Sequence, residues 1–210
     1  MRQVFKSSAL GLLAASFALA SCGPIVSFGD EGPADTIYTL RYQGGFADGN
    51  GPVVYVDEPT VADGLKGEAV AVALPDNQRS TIGGVRWSAP VSDLTRDYFT
   101  RSFGSETDAL LVGDGGLDIR AACRLGLKVW ELEYVPGERA GDDRVSIAIE
   151  MSLVRLKDNH LISKATFSQT PTVAGEGTDA VMAAFNGAMA DLSGDAVAWF
   201  GARFSQCEAG

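Results

Sequence analysis

The alternation of Val145, Ile147, Ile149, Met151 and Leu153 with Ser146, Glu150 and Ser152 constrains this chain more than any other stretch. Side chains of a strand point to opposite faces in turn, so one face here must be buried. Lys157-Asp158-Asn159-His160 reads as a hairpin turn, and Leu161, Ala165 and Phe167 mark the returning strand. Upstream, Leu125, Leu127 and Val129 mark a third strand. Its apolar face changes side around Trp130, Leu132 and Tyr134, which predicts a bulge or burial on both faces. Pro136-Gly137 and Asp142-Asp143 bound the turn between the first two, and the three strands make an antiparallel meander.

The N-terminal half has shorter signals. Strands are expected at 36–42, 53–56 and 69–74, with a glycine-rich break at 44–51 and a single helical turn at 61–65. The polar segment 79–84 reads as a turn leading back to Val85-Arg86-Trp87. From Pro90, suited to a first helical position, Val91, Leu94 and Tyr98 recur at helical spacing beside Phe99 and Phe103, and Gly104 closes the helix. A short apolar run follows at 108–112. Thr178-Asp179 caps a last helix whose apolar face carries Val181, Phe185, Ala188, Leu192 and Trp199. With no βαβ alternation, the chain reads as α+β: a mostly antiparallel sheet of about six strands with two amphipathic helices packed on one face.

Leu19-Ala20-Ser21-Cys22 decides where such a domain would live. Arg2 and Lys6 precede an apolar run at 9–20, the layout of a secretory signal. That run is too short to span about 30 Å of hydrocarbon. The tetrapeptide resembles the lipobox of bacterial lipoproteins, which makes Cys22 the first mature residue and its thiol the attachment point for acyl chains such as palmitate. Gly23 rather than Asp after the cysteine favours the outer membrane, with the domain facing the periplasm. Residues 1–21 are then a lipoprotein signal peptide, 22–35 a flexible tether rich in Gly, Pro and Ser, 36–205 the folded domain and 206–210 a tail. Cys123 and Cys207 remain. In an oxidising compartment they could pair, or stay as two free thiols.

Chemistry finds few candidates. There is no Gly-x-x-x-x-Gly-Lys-Ser/Thr loop to cradle a nucleotide, and Gly64-Leu65-Lys66-Gly67 fails the spacing. One histidine and two unacylated cysteines are a poor set for zinc, so no metal site is expected. His160 lies in an expected hairpin turn, and no Gly-x-Ser-x-Gly elbow presents a serine for a triad. Asp142-Asp143 and the pair Glu131 and Glu133 read as a solvated turn and the wet face of a strand. Of Trp87, Trp130 and Trp199, at least two should be core. A net charge of −10, more negative still without Arg2 and Lys6, repels nucleic acid. We expect no catalytic residue, and no cofactor beyond the covalent lipid on Cys22.

The order of these features resembles the ABC-type transport auxiliary lipoprotein family, which includes the lipoprotein of the paraquat-inducible operon. The resemblance rests on the lipobox, the Tyr38-Thr39-Leu40 strand, Pro59 before a segment ending at Leu65, Arg86-Trp87-Ser88-Ala89-Pro90-Val91 opening a helix, and a closing helix with Phe185 and Trp199. The loop at 44–51 and the cysteine pair depart from it. The resemblance implies an outer-membrane-anchored accessory of a phospholipid-moving system, binding an MCE-domain periplasmic protein that works with an ABC permease and ATPase. A ring-shaped partner leaves room for a homo-oligomer. A free-standing lipid carrier, which needs an apolar pocket between helices and sheet, is the alternative. A lipid-anchored hydrolase is a third.

Overall fold

A computed structural model describes residues 34–46, 49–113, 120–139 and 141–208. The signal peptide, Cys22 and the tether up to residue 33 lie outside the described residues. The sheet is organised around β7 (Cys123–Val135), thirteen residues long. Along one edge it pairs antiparallel with β8 (Arg144–Arg155), which pairs antiparallel with β9 (His160–Gln169). The other edge is shared by three short strands in succession, all parallel to β7. They are β2 (Val53–Val56), β3 (Thr60–Val61) and β4 (Ala69–Ala73). Beyond β2 lies β6 (Leu110–Val112), again parallel. Beyond β4 come β5 (Arg79–Trp87), antiparallel, and β1 (Thr36–Tyr38), parallel to β5.

The result is α+β, with one mixed sheet of nine strands among the described residues, larger than the expected six and less antiparallel. The difference has a physical origin. Strands of two or three residues are too short to display a period, and alternation does not report the direction of a neighbour. The long meander was legible because its strands run ten residues or more. Its register shifts between Val129 and Glu131, where the apolar face changes side, so Val129 and Leu132 are both buried.

Five local expectations are corrected. Residues 61–65 form no helical turn: Val61 ends β3, and the Leu65 N–H reaches the Ala62 carbonyl at 3.1 Å in a tight turn. Segment 79–84 is the first part of β5, and the turn lies earlier, with Asp76 and Asn77 at positive φ. Gly83 and Gly84 and an exposed, polar surface conceal that strand. Gly104 does not close the first helix. That helix, α1 (Val91–Glu106), runs on until Thr107, whose N–H and hydroxyl both donate to the Phe103 carbonyl, at 3.0 and 2.7 Å. Its N-cap is Pro90, one residue before the expected position. Likewise α2 (Thr178–Gly201) is entered through Gly177 at φ 82°, with Thr178 already helical.

The buried face of the sheet is covered by aromatic rings. Phe99 and Phe103 from α1 and Phe185 and Phe200 from α2 share one core and are all fully buried. Phe103 stacks on Phe200 at 4.8 Å between centroids, and Trp87 at the end of β5 meets Phe185 edge-on at 5.4 Å. Beneath them lie Ile147, Ile149, Met151 and Leu153 of β8. Burying a side chain of this size contributes roughly 1.5–3 kcal/mol, so this layer carries much of the fold's stability.

Candidate functional site

The residues with chemical potential do not converge. His160 is exposed at the start of β9, and its backbone N–H donates to the Asp158 carboxylate at 3.3 Å. Asp158 is held down to about 2, chiefly by hydrogen bonds from Arg155. Asp143 closes the β7–β8 hairpin, accepting from the Gly137 N–H at 2.8 Å and from the Tyr134 hydroxyl at 2.7 Å. Asp142 is exposed beside it.

Glu131 and Glu133 depart from the expected wet face. The bulge at Val129 and Glu131 resets the alternation, and Glu133 is buried, 3.1 Å from the Arg79 guanidinium. Burial pushes its carboxyl above the usual range, against the attraction of Arg79. Arg79 also donates to the Asp63 carbonyl, so the pair ties β5 to β7 and to the turn after β3. That is a structural clamp. Among the described residues no three His, Cys, Asp or Glu side chains are placed to hold a metal ion, and no helix is long and apolar enough to cross a membrane.

Cys123, the first residue of β7, is joined to Cys207 at the end of a short 3-10 helix (Phe204–Cys207). Both are buried. The bridge fixes the segment after α2 to the sheet. Trp87 and Trp199 are buried, while Trp130 is 41% exposed on the sheet face away from the helices, with the Lys128 ammonium 3.5 Å from its ring centroid.

A carrier would need an apolar hollow between helices and sheet. That space is occupied by Phe99, Phe103, Phe185, Phe200 and Trp87. The best-formed concavities among the described residues are surface clefts. One of about 760 Å³ lies between the end of β4 and the β7–β8 hairpin and is lined by charged as well as apolar side chains, among them Arg139, Arg144 and Glu138. Two smaller ones flank Arg101 on the outward side of α1.

Around Arg101 lies a cluster that sequence reading missed. Tyr42, just past β1, donates its hydroxyl to Glu106 at 2.7 Å and lies 2.6 Å from the Ser105 hydroxyl, both on α1. Its ring meets Tyr98 edge-on at 5.7 Å. The glycine-rich loop then lays Phe46 over the Arg101 guanidinium, 4.5 Å from the ring centroid, while Phe46 itself is 86% exposed. One signal pointed toward it: a large apolar residue inside a run of glycines has no periodic partner to bury it.

Comparison with known proteins places these features. Protein XCC0632 from Xanthomonas campestris has a similar crystal structure, with a TM-score of 0.69 at 19% identity, covering 80% of this chain and 95% of that one. A second crystal structure, of an uncharacterised protein, has a TM-score of 0.64 at 17% identity, covering 80% and 99%. At such identities the likeness is one of fold. No functionally curated protein is significantly similar to the chain. The family model for the ABC-type transport auxiliary lipoprotein component matches residues 38–197, which runs from the end of β1 almost to the end of α2. With a match over that much of its length, the chain belongs to the ABC-type transport auxiliary lipoprotein component family.

Proposed function

We propose that this chain is an outer-membrane-anchored periplasmic lipoprotein, acylated at Cys22, that serves an MCE-type ABC lipid transport system by binding its partners rather than by catalysis. The family match over 38–197 carries the reading. The lipobox-like Leu19-Ala20-Ser21-Cys22 supports the anchor, and Gly23 the outer membrane. Two or more acyl chains make such an anchor stable, each buried methylene contributing about 0.8 kcal/mol. The tether from Cys22 to Thr36 reaches at most about 50 Å, so the domain works close to the membrane that holds it. The scattered acids and the ring-filled interior support a binding role over a hydrolase or a carrier.

Gentle solubilisation of membranes and capture of the tagged lipoprotein, with Cys22→Ser as the unanchored control, tests the proposal. Recovery of an MCE-domain protein with its permease and ATPase is the expected result. Their absence, under conditions that keep other envelope complexes intact, would overturn it.

A further inference from the structure

Among the described residues Arg101 has no carboxylate in a salt bridge, in a chain that carries 27 acidic residues against 17 basic ones. Among the described residues its guanidinium lies over the Phe46 ring and acts on the neighbouring Tyr42 hydroxyl through its charge, and its Nε is shut off from solvent with no hydrogen-bond acceptor. Clefts of about 240 and 190 Å³ open on either side, the first floored by Leu40 and Tyr98, the second reaching to Leu110 and Leu111. Phe46 lines the second of these clefts, and no other aromatic residue of the described chain is as exposed.

We propose that this face of α1 is a docking surface for another protein, which seats a lone carboxylate on Arg101 and an apolar side chain against Phe46. The guanidinium fork matches a carboxylate in two parallel hydrogen bonds, and arginine with aromatic rings is the composition of interface hot spots. The clefts are side-chain sized, below the roughly 300 Å³ at which small-molecule pockets begin, which leaves no room for acyl chains. Asp97 and Glu106 flank the arginine and would repel a run of acids. The partner segment therefore carries one Asp or Glu among apolar neighbours. The surface is argued from the domain alone, so failure of the transporter-capture experiment would leave it standing, and its own failure would leave the transport role standing.

The test uses the full, anchored chain in cells, with p-benzoylphenylalanine in place of Phe46, ultraviolet cross-linking and identification of the linked peptide. The expected adduct is with a different protein, within two residues of an Asp or Glu. Arg101→Glu should cut its yield at least tenfold, Arg101→Lys should cut it less, and reversing the partner's acid to Arg should restore it with Arg101→Glu. Melting curves of both variants, unchanged from the parent, exclude a folding defect. Absence of any adduct, an adduct with a second copy of this chain or with lipid, or a yield indifferent to Arg101→Glu would each overturn the proposal.

Discussion

Cys123 and Cys207 are 84 residues apart in the chain, yet their Cα atoms lie 5.4 Å apart and their sulfurs are bonded. The loop they close contains β8, β9 and α2, so the bridge removes much of the freedom of the unfolded chain. For a loop of this length the chain-entropy account gives about 4.5 kcal/mol, and measured losses run from about 2 to 5. The double variant Cys123→Ala/Cys207→Ala should lose about 3 to 5 kcal/mol in urea unfolding. Dithiothreitol should bring the parent to the same midpoint and leave the variant unmoved. A variant as stable as the parent would show that the bridge adds nothing.

The β7–β8 hairpin should respond to pH through Asp143. Its two hydrogen bonds, from the Gly137 N–H first and the Tyr134 hydroxyl second, hold the carboxyl below its ordinary value. A lowered folded pKa contributes stability above the unfolded value near 3.8, lost as pH falls through the folded value. Tyr134 has the opposite sign. Burial, then the bond to Asp143, pushes its hydroxyl up to about 12, so its contribution is present below pH 10 and lost as pH rises through 12. Asp143→Ala should lower the melting temperature at pH 7, with the gap narrowing as pH falls below 3.8, and Tyr134→Phe should lower it by about 2 to 4 °C. A gap that stays constant with pH would rule out the carboxylate as its cause.

How much of this was legible depended on the length of each element. The β7–β8–β9 meander and both helices stand out because Val145 to Leu153 and Val91 to Tyr98 repeat a period long enough to count. The two-residue β3 and the three-residue β6 leave no period at all, and β5 hides behind Gly83 and Gly84. The burial of Glu133 was invisible for another reason. A one-residue bulge turns every later side chain to the other face, and its exact position cannot be read from residue types alone. The cluster at Arg101 draws on β1's exit, the 44–51 loop and α1, and such convergence is tertiary information.

Glu133 should prove costly in its charged form. Burial raises its carboxyl more than Arg79 lowers it, so the folded pKa lies above the usual 4.5. A raised folded pKa contributes stability that is full below the unfolded value and lost as pH rises through the folded one. Glu133→Gln keeps the shape and removes the charge, and should match or exceed the parent at pH 7 by up to about 1 kcal/mol, with no difference by pH 4. Arg79→Met, which leaves the buried carboxylate alone, should lose about 1 to 3 kcal/mol at pH 7 after allowance for the exposure of Arg79. If Glu133→Gln lost as much as Arg79→Met, attraction would outweigh desolvation and the assigned sign would be wrong.

Two glycines should answer differently to the same added methyl group. A Cβ on Gly51 would sit 2.6 Å from the Asp108 carbonyl oxygen and 3.1 Å from its carbon, both backbone, while the Gly51 N–H bonds that same oxygen at 2.6 Å. Nothing there can rotate away. A Cβ on Gly126 of β7 would meet the Ser152 hydroxyl at 2.8 Å, and a serine can change rotamer. Gly51→Ala should therefore cost about 2 to 3 kcal/mol, and Gly126→Ala under about 1, helped by the lower chain entropy of alanine. Gly51 also leads through Pro52 to the bond between the Leu110 N–H and the Pro52 carbonyl, so the strain would reach the β2–β6 pairing and the loop that sets Phe46 over Arg101. Urea midpoints of the two variants, with hydrogen exchange at Leu110, make the comparison. Equal losses would mean that the 44–51 loop yields as readily as a side chain, and that its hold on Phe46 is weak.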